Sequence, residues 1–196
     1  MEIKFHGKNC FTVKDQKITV ALDPHDKGLS ANAVALSQAD EEHKISKLVA
    51  GEPKVFDWPG EYETLGVHFH GIHSFRDPKE SKIQRENTVF HITMNGIRLC
   101  HLGNQGTKLT PQQLEQVGDV DVLFVPVGGK DAADAKKAKE IVEQIEPRVV
   151  IPMGYDSPAE FLSAMGAKAV EPLENFTFKK TELPEDTTRV IVLTAA

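Results

Sequence analysis

His68, His70 and His73 form a dense cluster of side chains able to bind a metal. His68 and His70 fall on one face of a strand, but His73 breaks that alternation. No carboxylate or Cys sits beside them at ligand spacing, so a solvated strand end is expected rather than a zinc centre. Asp23, His25 and Asp26 follow a strand-like run and could line a site, with capping of their own loop as the expected role. Glu61 and Glu63 share a strand face because they are two apart, which is a structural reason for a spacing that a catalytic carboxylate pair would also have. Cys100 and His101 are adjacent and so point to opposite faces, against a Cys–His dyad. Gly128-Gly129 and the turn at 103–106 lack the Lys-Ser/Thr of a phosphate loop, and no GxSxG elbow occurs. Lys136, Lys137 and Lys139 are expected on the wet face of a helix.

The elements that hold these residues follow one plan twice. Residues 9–23 contain two β-rich runs around Lys14, Asp15 and Gln16, and residues 87–102 contain two more around Asn95-Gly96, the strongest short hairpin signal. The first hairpin is followed by helical material and Glu52-Pro53-Lys54-Val55-Phe56; the second leads to Glu146-Pro147-Arg148-Val149-Val150. The same order in both halves points to an internal duplication. Thr110-Pro111-Gln112-Gln113 starts a helix that Gly118 stops, and Ser157-Pro158-Ala159-Glu160 starts another that ends near Gly166. Ala135, Ala138, Ile141, Val142 and Ile145 make one apolar helical stripe, and Ile45, Leu48 and Val49 make a shorter one. Asp121 to Pro126 and Arg148 to Pro152 read as strands covered on both faces.

Composition bounds the function classes. A chain of 196 residues with 40% hydrophobic and 27% charged residues is expected to form one soluble domain over 1–196. The net charge of −6 and pI near 5.8 argue against a dedicated nucleic-acid binder. There is no signal-peptide h-region and no apolar run long enough to span a bilayer. Two cysteines without CxxC spacing, Cys10 and Cys100, fit buried free thiols in a reducing cytoplasm.

Several phrases resemble the small lactonase-like, "Zn-dependent hydrolase" branch of the metallo-β-lactamase-fold superfamily. Gly7-Lys8-Asn9-Cys10-Phe11 is similar to its GHxCF start, Leu22-Asp23-Pro24 to its DP strand end, and Pro59-Gly60-Glu61-Tyr62-Glu63 to its PGEYE phrase. Cys100-His101-Leu102-Gly103 is similar to its CHLGD, Val125-Pro126-Val127-Gly128-Gly129 to its VPVGG, and Ile151-Pro152-Met153-Gly154-Tyr155 to its IPMHY. The resemblance covers nearly the whole chain and implies an α/β fold, a four-layer α/β/β/α sandwich with internal duplication.

It also implies a binuclear zinc site, whose metal-bound water is the nucleophile. Here the positions of the HxHxDH motif carry Gln38, Asp40, Glu42 and His43, of which only His43 is unchanged. The later His corresponds to Arg76, the bridging Asp to Asn104 and the final His to Gly154. Arginine stays protonated and cannot ligate zinc, glycine has no side chain, and an amide lacks the charge that holds two cations together. The ligand set is therefore expected to be lost, leaving a non-hydrolytic binding or assembly protein without a cofactor. Lys8, Arg76 and Asp23 are candidates for a small or anionic ligand, and Arg76 is expected to pair with Asp40 or Glu42. The alternative is a hydrolase with a rebuilt, carboxylate-rich site. One divalent metal (Mn²⁺, Mg²⁺ or a single Zn²⁺) would then be held by Asp40, Glu42, His43 and Asp23. A structural subunit paired with a zinc-binding relative is a third reading.

Overall fold

The computed structural model describes residues 1–38, 45–77, 82, 85–129, 132–167 and 170–196. Its strands are β1 (Glu2–Phe5), β2 (Phe11–Asp15), β3 (Ile18–Leu22), β4 (Leu29–Ser30), β5 (Ala33–Ala35), β6 (Val49–Ala50), β7 (Lys54–Phe56), β8 (Gly60–Thr64), β9 (Val67–Phe75), β10 (Glu86–Met94), β11 (Ile97–His101), β12 (Val122–Pro126), β13 (Val149–Met153), β14 (Phe176–Thr177) and β15 (Arg189–Val190). The helices are α1 (Ile45–Leu48), α2 (Pro111–Val117), α3 (Ala135–Ile145) and α4 (Ala159–Ala164).

Two large sheets carry the repeated plan. One has the order β14-β1-β2-β3-β5-β7 and the other β15-β13-β12-β11-β10-β9-β8. In the first, the antiparallel β2–β3 hairpin is followed by parallel β5 and β7. In the second, the β10–β11 hairpin is followed by parallel β12 and β13. Asn95 and Gly96 turn the second hairpin with φ of 50° and 71°, the left-handed pair their types favour. The first hairpin turns later than its polar run suggests: Asp15 pairs with Ile18, and Gln16 takes the positive φ of 51°.

Alternation then sorts the apolar residues into layers. Phe11, Val13, Val20 and Leu22 of one sheet meet Phe69, Phe90, Ile92, Leu99, Phe124 and Ile151 of the other in the central core. The opposite face of the larger sheet, including Ile72, Val89, Cys100 and Leu123, is covered by Val117 of α2, Ile141 and Val142 of α3 and Phe161 of α4. Ile45 of α1 and Val49 cover Ala21, Val34 and Leu36 on the outside of the smaller sheet. That stripe is shorter in helix than its spacing suggests, because Val49 already begins β6. Every residue of β12 and β13 is buried, as two-sided cover requires.

The helix starts show which local signals dominate. Thr110 and Gln113 form a reciprocal capping box at α2, with Pro111 in the first turn and Gly118 as the C-cap. The start of α4 differs from expectation: Pro158 is the cap residue and makes no side-chain cap bond, while Ala159 N–H donates weakly to Ser157 Oγ at 3.4 Å. Among the described residues no helix is long and apolar enough to cross a membrane.

Candidate functional site

Loops leaving the carboxyl ends of β1, β3, β5, β9, β11 and β13 converge at one end of the two sheets. They enclose a cavity of about 680 Å³ lined by Lys8, Asn9, Asp23, His25, Gln38, Arg76, Asn104, Gly154 and Tyr155, among others. Gln38, Arg76, Asn104 and Gly154, the described positions that correspond to zinc ligands in the resemblance, therefore meet in one place, together with Lys8 and Asp23. Asp40, Glu42 and His43 lie outside the described residues, and so does the proposed pairing of Arg76 with either carboxylate.

Glycines let these loops close on one another. A Cβ at Gly106 would stand 1.8 Å from the Arg76 carbonyl oxygen, and one at Gly128 would stand 1.8 Å from that of Gly154. The Arg76 loop and the Gly154 loop can approach this closely only where the facing residue lacks a side chain.

Polar contacts then fix the cavity floor. Asn9 is buried; its Nδ2 donates to Asn104 Oδ1 at 2.7 Å, joining the first half of the chain to the second. Asn104 N–H donates to Asn87 Oδ1 at 2.9 Å, and Asn87 Nδ2 donates to Ser74 Oγ at 2.8 Å and the Leu102 carbonyl at 3.0 Å. Asn9, Asn87 and Ser74 were not singled out by spacing or charge. Asn9 lies inside the GKNCF phrase, the one signal that pointed to it.

Asp23 works within the protein. Ser37 donates its N–H to Oδ1 and its hydroxyl to Oδ2, both at 2.6 Å, so both carboxylate oxygens already accept a hydrogen bond. These bonds tie the end of β3 to the loop after β5 instead of capping the loop of Asp23 itself, and the residue lines the cavity as well. His101 stands behind it: Nδ1 lies 3.9 Å from Asp23 Oδ2 and accepts from Gly103 N–H at 3.3 Å, while Nε2 donates to the Asn9 carbonyl at 2.9 Å. Burial pushes the His101 pKa below its ordinary 6.5. Tyr155 is shifted upward by burial, so its phenol stays a neutral donor at neutral pH. Lys8 is exposed and makes no ion pair with a described residue, and His25 Nδ1 is buried without a hydrogen-bond partner among them.

The residues described here do not fit a binuclear zinc centre. Among the described residues no group of three His, Cys, Asp or Glu side chains is placed to hold a metal. Position 154 also has no room for an imidazole as the loops stand, because a Cβ there would lie 2.8 Å from Asn9 Oδ1.

The other candidates lie elsewhere. His68 and His73 are exposed on opposite faces of β9 and approach Glu63 at 3.6 Å and Glu86 at 3.8 Å respectively. Glu61 and Glu63 are exposed on one face of the edge strand β8. Cys10 and Cys100 are buried free thiols, with burial pushing Cys10 up to about 12. Lys136 and Lys137 face solvent on α3.

Residues 2–154 match the family model of the β-lactamase superfamily domain. The chain superposes with a TM-score of 0.82 on a Thermotoga maritima protein assigned to the Zn-dependent hydrolases of the metallo-β-lactamase superfamily. The two are 32% identical, over 98% of this chain and 99% of that one. A UPF0173 protein of Pyrococcus furiosus is 46% identical over a stretch covering 32% of this chain and 29% of its own length. A UPF0173 metal-dependent hydrolase of Desulforamulus reducens is 22% identical over 80% of this chain and 85% of its own length.

Proposed function

The chain belongs to the β-lactamase superfamily domain family, and on that premise we propose that it keeps the family cleft as a binding site for a small anion, without the binuclear zinc chemistry. The observation that carries this reading is the convergence of Lys8 and Arg76 on one cavity, whose lining carboxylates are Asp156 and Asp23, the latter with both oxygens held by Ser37. A guanidinium offers planar paired donors suited to a carboxylate or phosphate. Tyr155 supplies a phenol donor beside them. With Arg76, Asn104 and Gly154 at three metal positions, the same cavity favours an anion over a cation.

A second reading is a metal-dependent hydrolase with a rebuilt carboxylate-rich site. Relatives such as the Desulforamulus reducens protein carry the name metal-dependent hydrolase. Asp23 lines the cleft, and Asp40, Glu42 and His43 supply suitable ligand chemistry in the sequence. Oxygen-rich sets of this kind favour Mg²⁺ or Mn²⁺ over zinc.

Elemental analysis of protein purified without chelator or histidine tag, before and after incubation with Zn²⁺ and Mn²⁺, separates the two. The anion reading expects metal well below one equivalent throughout, and calorimetric binding of inorganic phosphate that Arg76→Ala weakens. One or two tightly held equivalents, with lactone or phosphodiester hydrolysis abolished by chelation, would establish the second reading in its place.

A further inference from the structure

His91 lies in β10 on the outer face of the larger sheet, in step with Val89 of the outer core. Its partners across the sheet are His70 of β9 and Cys100 of β11, and Glu61 of β8 stands opposite His70 in the same row. The ring is half-buried, and its hydrogen-bond partner is the carbonyl of Asp119, in the turn between α2 and β12. Its Nε2 is buried with no partner among the described residues. A neutral ring bears this at modest cost, because that nitrogen is then a bare lone pair. A protonated ring would place a charged N–H where no acceptor stands, which is far more costly.

The turn that His91 touches is also held by Arg98 of β11. Arg98 Nη1 donates to Asp119 Oδ2 at 2.7 Å, and its backbone N–H donates to Asp121 Oδ2 at 2.8 Å. Asp121 N–H donates back to the Arg98 carbonyl at 2.8 Å, and Gly118 N–H donates to the Leu114 carbonyl at 2.9 Å. Val117 and Val120, on either side of Gly118 and Asp119, are buried in the outer core with Val89 and Cys100. We propose that His91 is an acid-released latch: protonation drives its ring off the Asp119 carbonyl and loosens the turn at 118–121 while both sheets stay folded. Arg98 keeps its hold on the turn, so the release is local.

The groups around the ring do not offset a proton on it. Arg98 on β11 and His70 on β9 oppose it, whereas Asp121 favours it but is already engaged by Arg98, as is the Asp119 carboxylate. Glu61 on β8 and Glu115, the one charged residue of α2, are exposed to water. Cys100 is a buried thiol that burial keeps neutral. Burial outweighs the Asp119 carbonyl and Asp121, so the seated ring titrates below its ordinary 6.5. Once swung into water it regains the ordinary value. Between those two values each unit fall in pH shifts the balance toward the released ring by up to about tenfold.

Backbone amide exchange of the whole protein, read by NMR and corrected for the intrinsic effect of pH, tests the latch. The reporters are Gly118 and Asp121, set against Leu123 and Phe124 of β12, which report global unfolding. At pH 7.5 and 5.5 alike, Gly118 and Asp121 should be less protected than β12, and their protection should fall by up to about tenfold between the two. His91→Gln keeps a neutral donor for the Asp119 carbonyl and should remove that fall. An equal fall in His91→Gln would overturn the inference, as would Gly118 and Asp121 exchanging only as fast as β12. Titration of the His91 ring in the parent protein gives a check that needs no variant. A ring that titrates below 6.5 as the turn loosens supports the latch, and one that titrates at 6.5 or above overturns it.

Discussion

Asn9 and Asn104, ninety-five positions apart, hold each other by a 2.7 Å hydrogen bond across the floor of the cleft. The bond joins the loop after β1 to the loop after β11, equivalent ends of the two sheets. A neutral amide pair therefore spans the cleft at the position that the resemblance gives to a bridging carboxylate. Removing the acceptor leaves a buried N–H without a partner, and Asn104→Ala should cost about 1–3 kcal/mol. Asn104→Asp keeps an acceptor at the same reach and should stay closer to the parent than Asn104→Ala does. Urea unfolding of the three proteins checks the ranking, and equal losses in both variants would mean the pair is not what holds the loops.

Gly154 is linked to the same amide. Its φ of 67° strains any side chain, and a Cβ would stand 2.8 Å from Asn9 Oδ1. The left-handed conformation alone costs roughly 1–2 kcal/mol for alanine. Gly154→His should therefore destabilise by more than that, and adding Asn9→Gly should recover part of the loss by clearing the contact. A double-mutant cycle with no coupling would show that the two positions relax independently.

Gly106 makes a stronger demand. A Cβ there meets the Arg76 carbonyl oxygen at 1.8 Å, a backbone atom that no rotamer change can move. Gly106→Ala should cost about 3 kcal/mol as overpacking and weaken phosphate binding by shifting Arg76. Gly66, with φ of 74° and nothing within 4 Å of an added Cβ, is the control. Gly66→Ala should cost only about 1 kcal/mol of conformational strain, with binding unchanged.

The repeated hairpin-then-parallel-strand plan was readable because its signals are local. Asn95-Gly96 turns the chain where it stands, Thr110 with Gln113 caps α2, and the α3 stripe buries Ala138, Ile141, Val142 and Ile145 as its spacing requires. Weaker local chemistry misplaced the first hairpin turn and the α4 cap, where no side chain makes a strong bond. Asp134, which caps α3 through Lys137 N–H at 2.8 Å, carried a legible type but was not singled out. The joining of Lys8, Gln38, Arg76, Asn104 and Gly154 at one cavity was reachable only through resemblance, since those residues share no period. Of the Asn9–Asn104–Asn87–Ser74 chain, resemblance reached Asn104 and the phrase that holds Asn9, but not Asn87, Ser74 or the bonds that join the four. Asparagine and serine are common loop residues, and only folding brings these four within hydrogen-bond reach.

His101 gives the protein an acid-sensitive point directly behind the cleft. In the folded state the ring is 2% exposed, and its two nitrogens are committed to the Asn9 carbonyl and the Gly103 N–H. Protonating Nδ1 would set a donor against the Gly103 donor, and burial opposes the charge more strongly than Asp23 supports it, so the folded pKa lies below 6.5. Above that pH both folded and unfolded chains hold a neutral ring, and this residue contributes no pH dependence. As the pH falls through 6.5 the unfolded chain takes up the proton first, so stability must fall with it until the folded pKa is reached. One such histidine contributes a slope of up to about 1.4 kcal/mol per pH unit. His6 and His91 are also lowered, chiefly by burial, so the parent should show a steeper fall than one ring can give. Denaturant unfolding between pH 8 and 5 should find the slope of His101→Gln smaller than the parent's by about one ring's share. An unchanged slope would show that the His101 ring protonates in the folded state as readily as in the unfolded one.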